Sequence, residues 1–268
     1  MTPNPALAEM RAERHVSYSS LSTWLQCPQK WRYRYELDVR SAFRPGALAF
    51  GSAVHSTLAA HFNALKEGSQ PPNLDVVFAD HWRQQLDSKI PVLLDEKQTS
   101  ESLLQTGQAM LAVYVNKVQL SGRVVAVEEP FSIELFDPDT GEVMSSRLVG
   151  ALDLVVQRDD GAFVVCEVKT ASRRWPESRL TDDAQITAYS FAAPCIGFGD
   201  ASVDIHLLLK SQRKPDVEIY KTTRTEKDHQ DFLRMASGVI RAIDAGIFFP
   251  RRDWWCKSCE FAGPCMAG

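Results

Sequence analysis

The chain changes hydrophobic period along its length. In its N-terminal part, apolar residues recur every three to four positions, the spacing of a helix with one buried face. Leu21, Trp24 and Leu25 fit a short helix that Ser19 can cap, and Pro28 fits the first turn of the next. Over 50–66, Leu58, Phe62 and Leu65 share a helical face with His55, which places His55 on the apolar side. Further helices are expected over 75–86 and 101–120. Alternation of period two then predicts strands over 123–136, 143–157 and 162–169, separated by the turns Asp137-Pro138-Asp139-Thr140-Gly141 and Arg158-Asp159-Asp160-Gly161. A helix over 182–193, strands over 203–210 and 217–222 and a long helix over 226–245 complete the body. No repeat, low-complexity tract or clear linker interrupts this order, so the expectation is a single domain over residues 1–268.

The second hairpin carries the unusual residues. Gly150-Ala151-Leu152-Asp153-Leu154-Val155-Val156 sets one carboxylate in an apolar strand, and Val164-Val165-Cys166-Glu167-Val168-Lys169 sets Glu167 and Lys169 on one face of the next. Antiparallel pairing through the turn at 158–161 brings Asp153 opposite Glu167 to within about a residue. Two buried carboxylates that close repel each other, and a divalent cation would hold both ionised. Lys169 would then orient or deprotonate the water that attacks phosphorus. The plain alternative is a structural ion pair of Glu167 with Lys169 and an isolated surface Asp153.

Composition narrows the class less than the cysteines do. The chain is 44% hydrophobic and 24% charged with a formal net charge of −4, which does not by itself suggest a nucleic-acid partner. Local charge differs: Lys30, Arg32, Arg34, Arg40 and Arg44 interleave with Trp31, Tyr33 and Tyr35, a mixture that grips phosphates and stacks bases. Arg173-Arg174, the group Lys210, Arg213 and Lys214, and Arg251-Arg252 add basic clusters. Each alone fits a solvated face; together they could line a groove. Met1 to Arg14 has no apolar core of a leader, and no stretch of about 18 apolar residues could span a bilayer, so a cytoplasmic protein without a membrane partner is expected. Thiols stay reduced there. Cys27 near one end and Cys256, Cys259 and Cys265 near the other could saturate one zinc ion or one iron–sulfur cluster, clasping segments 17–45 and 246–268. Disulfides or free thiols are the alternatives, and spacing does not separate zinc from iron. Cys166, in a strand pattern, and Cys195, after a helix, read as small buried hydrophobes.

Taken in order, these motifs resemble the PD-(D/E)XK nuclease superfamily. Gly150 to Asp153 is similar to its G-x-x-D strand and Glu167-Val168-Lys169 to its second acidic position and lysine; Gln185-Ile186-Thr187-Ala188-Tyr189 matches the Q-x-x-x-Y motif of the RecB-like branch, and Gly51-Ser52-Ala53-Val54-His55 its G-x-x-x-H helix. One Cys-Pro and a C-terminal C-x2-C-x5-C are similar to the iron–sulfur members: CRISPR-associated exonucleases, the AddB nuclease domain, and phage and eukaryotic single-strand exonucleases. The resemblance covers nearly the whole chain. It implies a mixed central sheet flanked by helices, an α/β fold, and metal-dependent hydrolysis of DNA, preferentially single-stranded and from an end, with Mg²⁺ or Mn²⁺. It implies His55, Asp153, Glu167 and the Val168 carbonyl as metal ligands, Lys169 as the catalytic lysine, Gln185 and Tyr189 as residues bracing the site or touching the DNA backbone, and a structural [4Fe-4S] cluster on Cys27, Cys256, Cys259 and Cys265. Glu128 or Glu129 would supply a further acidic position, and Tyr18 and Ser19 belong to a matching N-terminal helix. The chain has no P-loop, so it resembles free-standing members rather than helicase fusions. Two rival readings are a DNA-binding subunit of a recombination or CRISPR-adaptation complex and a redox-responsive iron–sulfur protein; the latter gives no reason for Glu167-Val168-Lys169.

Overall fold

Asn4 and Pro5 start the first helix. The Asn4 side chain accepts the Ala6 N–H at 3.1 Å and Pro5 has no N–H to satisfy, giving α1 (Pro5–Met10), an element the apolar pattern does not predict. The structure is a computed structural model and describes residues 4–211 and 214–267. After β1 (His15–Val16), α2 (Tyr18–Gln26) is capped by Ser17 instead of Ser19, because Ser17 is the last extended residue and trades hydrogen bonds with Ser20 in a capping box. Cys27 ends α2, Pro28 opens α3 (Pro28–Trp31), and the chain widens into a π turn over Arg32–Glu36. β2 (Arg44–Pro45) leads into α4 (Gly46–Lys66), which begins a turn earlier than its apolar stripe suggests. Gly46 permits this: a Cβ there would lie 2.9 Å from the Leu93 carbonyl. Asn73 caps α5 (Leu74–Leu86), β3 (Val92–Leu93) follows, and Thr99 caps α6 (Ser100–Lys117).

The strand region follows the period-two pattern with shifted ends. β4 (Arg123–Ile133) and β5 (Arg147–Gln157) are shorter than the alternation implies, although Phe136 and Val143 still bridge and the Asp137 turn closes with Gly141 at φ 76°. β6 (Phe163–Ala171) comes next. The single helix expected over 182–193 is two, α7 (Glu177–Asp182) and α8 (Ala184–Cys195), because Asp183 is extended and its carboxylate caps α8 through the N–H groups of Gln185 and Ile186. β7 (Ser202–Leu209), β8 (Asp216–Thr222), α9 (Glu226–Asp244) capped by Thr225, a 3₁₀ turn over Trp254–Ser258 and α10 (Ala262–Ala267) complete the chain. No helix among the described residues is long and apolar enough to cross a membrane.

The chain divides into two compact units. The first comprises Pro45–Glu129 and Ala151–Arg224. Within it β5 pairs antiparallel with β6 (Leu154 opposite Cys166), β6 parallel with β7 (Val168 opposite His206), and β7 antiparallel with β8. The sheet is therefore mixed, as expected. One face, through Leu154, Val156, Val164, Cys166, Val168 and Leu208, packs on α4, α5 and α6, where Phe50 meets Phe78 and Trp82 edge-on at 5.8 and 6.2 Å. Alternation turns Glu167 and Lys169 to the opposite face. There α8 buries Ile186, Tyr189 and Ala192. Cys166 is buried as expected; Cys195 is not. It ends α8 exposed, where its thiol donates to the Phe191 carbonyl.

The second unit comprises, among the described residues, 4–44, Pro130–Gly150 and 225–267. Here β1 pairs parallel with the start of β5. Gly150 is required where it stands, since a Cβ would come within 2.5 Å of the Phe131 ring. Much of the basic and aromatic run after Cys27 turns inward. Trp31 is buried and stacks on Phe248 at 5.7 Å, while Lys30 and Arg34 both pair with Glu260, whose side chain is 2% exposed. These two cations are therefore committed to a buried carboxylate instead of standing free for a ligand. Arg32 pairs with Glu36 and lies over Phe248. In the first unit Arg174 pairs with Glu218 but stays exposed, as Arg173 does, and Lys210 lies over the Phe50 ring, while Arg213 is outside the described residues.

Candidate active site

All candidate hydrolytic residues lie in the first unit. α4 presents His55, and β5 presents Asp153, whose Oδ2 sits 3.3 Å from His55 Nδ1 and accepts the Val168 N–H at 2.9 Å. The register of β5 and β6, with Leu154 opposite Cys166, puts Asp153 opposite Glu167 one residue further on, as the turn chemistry predicts. Lys169 Nζ lies 2.5 Å from Glu167 Oε1 and donates to Gln185 Oε1 at 2.6 Å. Gln185 Nε2 in turn donates to Glu167 Oε1 and to the Tyr189 hydroxyl, both at 2.9 Å. Gln185 and Tyr189 share a face of α8 because they are four residues apart. Glu167, Lys169, Gln185 and Tyr189 therefore form one closed network.

One further residue enters that the sequence left undecided. Glu128, not Glu129, joins His55 and Asp153: one ligand atom of each lies within 4.8 Å of the others, the only such group of three among the described residues. The cause is backbone. Glu128 is left-handed at φ 49°, which breaks the alternation of β4 and redirects its side chain. No composition signal in Val127-Glu128-Glu129-Pro130 predicts that kink. Glu167 is outside this group of three, on the side toward Lys169.

The electrostatics are those of a crowded anionic site. Burial, then the Asp153 charge, push Glu167 up to about 8 against the pull of Lys169 and His55. Burial and Asp153 raise Glu128 to about 7. Burial would lower His55, but Asp153 and Glu167 outweigh it and raise the imidazole to about 9. Asp153 itself, although buried, is held below the usual carboxylate range by His55, Lys169 and the Val168 N–H. Burial would likewise lower Lys169, yet Glu167 and Asp153 keep its ammonium above the ordinary lysine value. Glu167 Oε2 is buried with no hydrogen-bond partner. A desolvated, unpartnered carboxylate oxygen beside a second carboxylate is costly unless a cation completes it. The donors, carboxylate oxygens with one imidazole, suit a hard divalent ion.

The four C-terminal and N-terminal cysteines of the expected clasp are all in the second unit and unpaired by disulfides. Cys27 Sγ accepts the Arg251 N–H and Cys256 Sγ the Asp253 N–H, each at 3.4 Å. Burial pushes the Cys259 thiol up, with Lys30 opposing and Cys27 among the groups that add to the rise.

The mixed sheet thus aligns two carboxylates and a lysine across one hairpin, with a glutamine and a tyrosine of α8 bonded to them. The model of the PD-(D/E)XK nuclease superfamily matches residues 15–266, and the chain belongs to that superfamily. A candidate exonuclease from Eubacterium rectale is similar in fold, with 16% identity over 100% of this chain and 93% of its own and a TM-score of 0.55. The crystal structure of the protein SSO0001 aligns over 97% of this chain and 92% of its own at 16% identity, with a TM-score of 0.43. No curated protein sequence matches the chain.

Proposed function

We propose that the protein is a Mg²⁺- or Mn²⁺-dependent deoxyribonuclease, one nuclease domain over its 268 residues, that degrades single-stranded DNA from an end. The observation that carries the catalytic reading is the unpartnered Glu167 oxygen beside Asp153. His55, Glu128, Asp153, Glu167 and the Val168 carbonyl would hold the cation. When bound, the ion supplies Lewis-acid polarisation of the scissile phosphate. The protein's own groups set the geometry around it. Lys169, charged and pinned by Glu167 and Gln185, orients the attacking water and offsets charge on the phosphate; with its pKa raised it holds its proton instead of acting as the resting base. Tyr189 fixes Gln185, and Gln185 fixes both Glu167 and Lys169. Partners in recombination or CRISPR adaptation suit such an activity.

The same reading assigns a [4Fe-4S] cluster to Cys27, Cys256, Cys259 and Cys265. Backbone N–H donors to two of the sulfurs support thiolate ligation.

The perturbed carboxylates and imidazole make cation affinity pH-dependent. Glu128 and Glu167 are raised to about 7 and 8 and His55 to about 9, so each must release a proton to become a ligand, and affinity for Mn²⁺ rises as pH increases from 6 to 9. Calorimetric titration in buffers of different ionisation enthalpy should register net proton release on binding. Affinity that is flat across that range would remove these three groups from the coordination sphere.

A further inference from the structure

Among the described residues of the second unit Trp254 is the most exposed large apolar side chain, at 75%, while its neighbour Trp255 is half-buried, with Trp254 edge-on at 5.6 Å and Arg251 over its ring. It is also firmly seated. Asp253 caps the 3₁₀ turn through the Trp254 N–H at 2.7 Å, and the Asp253 N–H is tied to Cys256 Sγ. An indole left in water on an ordered turn forgoes the burial of roughly 150–250 Å² that aromatic side chains usually reach.

The surroundings say what it binds. Residues three apart on a 3₁₀ turn are eclipsed, so Lys257 lies along the same side of the turn as Trp254. Arg252, two residues before it, is exposed as well. Neither cation has an ion-pair partner among the described residues, in contrast to Lys30 and Arg34, which are committed to Glu260. An exposed aromatic face between unneutralised cations is complementary to a polyanion with stackable rings. We infer that Trp254, with Arg252 and Lys257, is a stacking platform for a base of single-stranded DNA whose phosphates the two cations take. This rests on the nuclease reading and places strand contact on this turn instead of on the Lys30 to Arg44 run.

The test is binding of fluorescently labelled oligo(dT) to the full chain without divalent cation, beside the same strand made abasic throughout. Trp254→Ala should weaken oligo(dT) binding about tenfold, and Trp254→Phe, which keeps a stacking face, by no more than about twofold. On the abasic strand the parent and Trp254→Ala should bind alike. Arg252→Gln with Lys257→Gln should reduce the slope of log K against log salt by about 1.4, the release expected for two phosphate contacts on a single strand. Iron content and melting temperature equal to the parent's show that the turn is intact. Unchanged oligo(dT) binding by Trp254→Ala, an equal loss on the abasic strand, or a change in self-association alone overturns the platform while the nuclease reading stands. A parent protein that binds no single strand overturns both.

Discussion

Lys169→Ala protein is expected to cleave DNA about a thousandfold more slowly than the parent, and Glu167→Ala at least as slowly, with DNA binding retained by both. The size of the effect follows from the network. Lys169 is the only ammonium in it, and Glu167 both holds that ammonium and carries the buried oxygen that needs a cation. Either substitution also releases Gln185, which bridges the two. Binding should survive because neither side chain is an exposed surface cation. Single-turnover cleavage and anisotropy binding on the same preparations separate the two effects. Cleavage within about tenfold of the parent in Lys169→Ala would take the lysine out of the chemistry.

Loss of the cysteine clasp should produce the largest change in stability. Cys27→Ala or Cys259→Ala protein, purified anaerobically, should lose about four irons per chain and the broad absorption near 400 nm of thiolate clusters, and its melting temperature should fall by about 10 °C or more. Cys27 joins α2 to α3, whereas Cys256 and Cys259 belong to the 3₁₀ turn and its end, so a cluster shared among them would cross-link segments more than two hundred residues apart in sequence. Protease should then cut first near α1 and α2. Stoichiometric zinc in a colourless protein of unchanged stability and activity would replace the cluster with a zinc site.

How legible the site was depended on what each residue needs from its backbone. Asp153, Glu167 and Lys169 could be placed because strand alternation and a four-residue turn determine which side chains share a face, and Gln185 with Tyr189 because one helical turn separates them. Glu128 could not, because a left-handed residue inside a strand obeys neither period. The cap of α2 and the break between α7 and α8 were lost for a related reason: several Ser and Asp residues are candidates, and only the one that lies extended at the boundary caps. The basic run after Cys27 shows a different limit. Charge and aromaticity in sequence look the same whether the side chains face DNA or, like Lys30, Arg34 and Trp31, face Glu260 and Phe248. Exposure separates the two cases, and it favours Trp254.

We propose Asp153, Glu167 and Lys169 as the core of a divalent-cation site that hydrolyses DNA. Digestion of end-labelled single- and double-stranded DNA with Mg²⁺ or Mn²⁺, beside an Asp153→Ala control, tests it most directly. The expected result is cation-dependent shortening, faster on the single strand, abolished by chelator and by Asp153→Ala. Cleavage that persists in highly purified Asp153→Ala protein, or that proceeds equally in the presence of chelator, would contradict it.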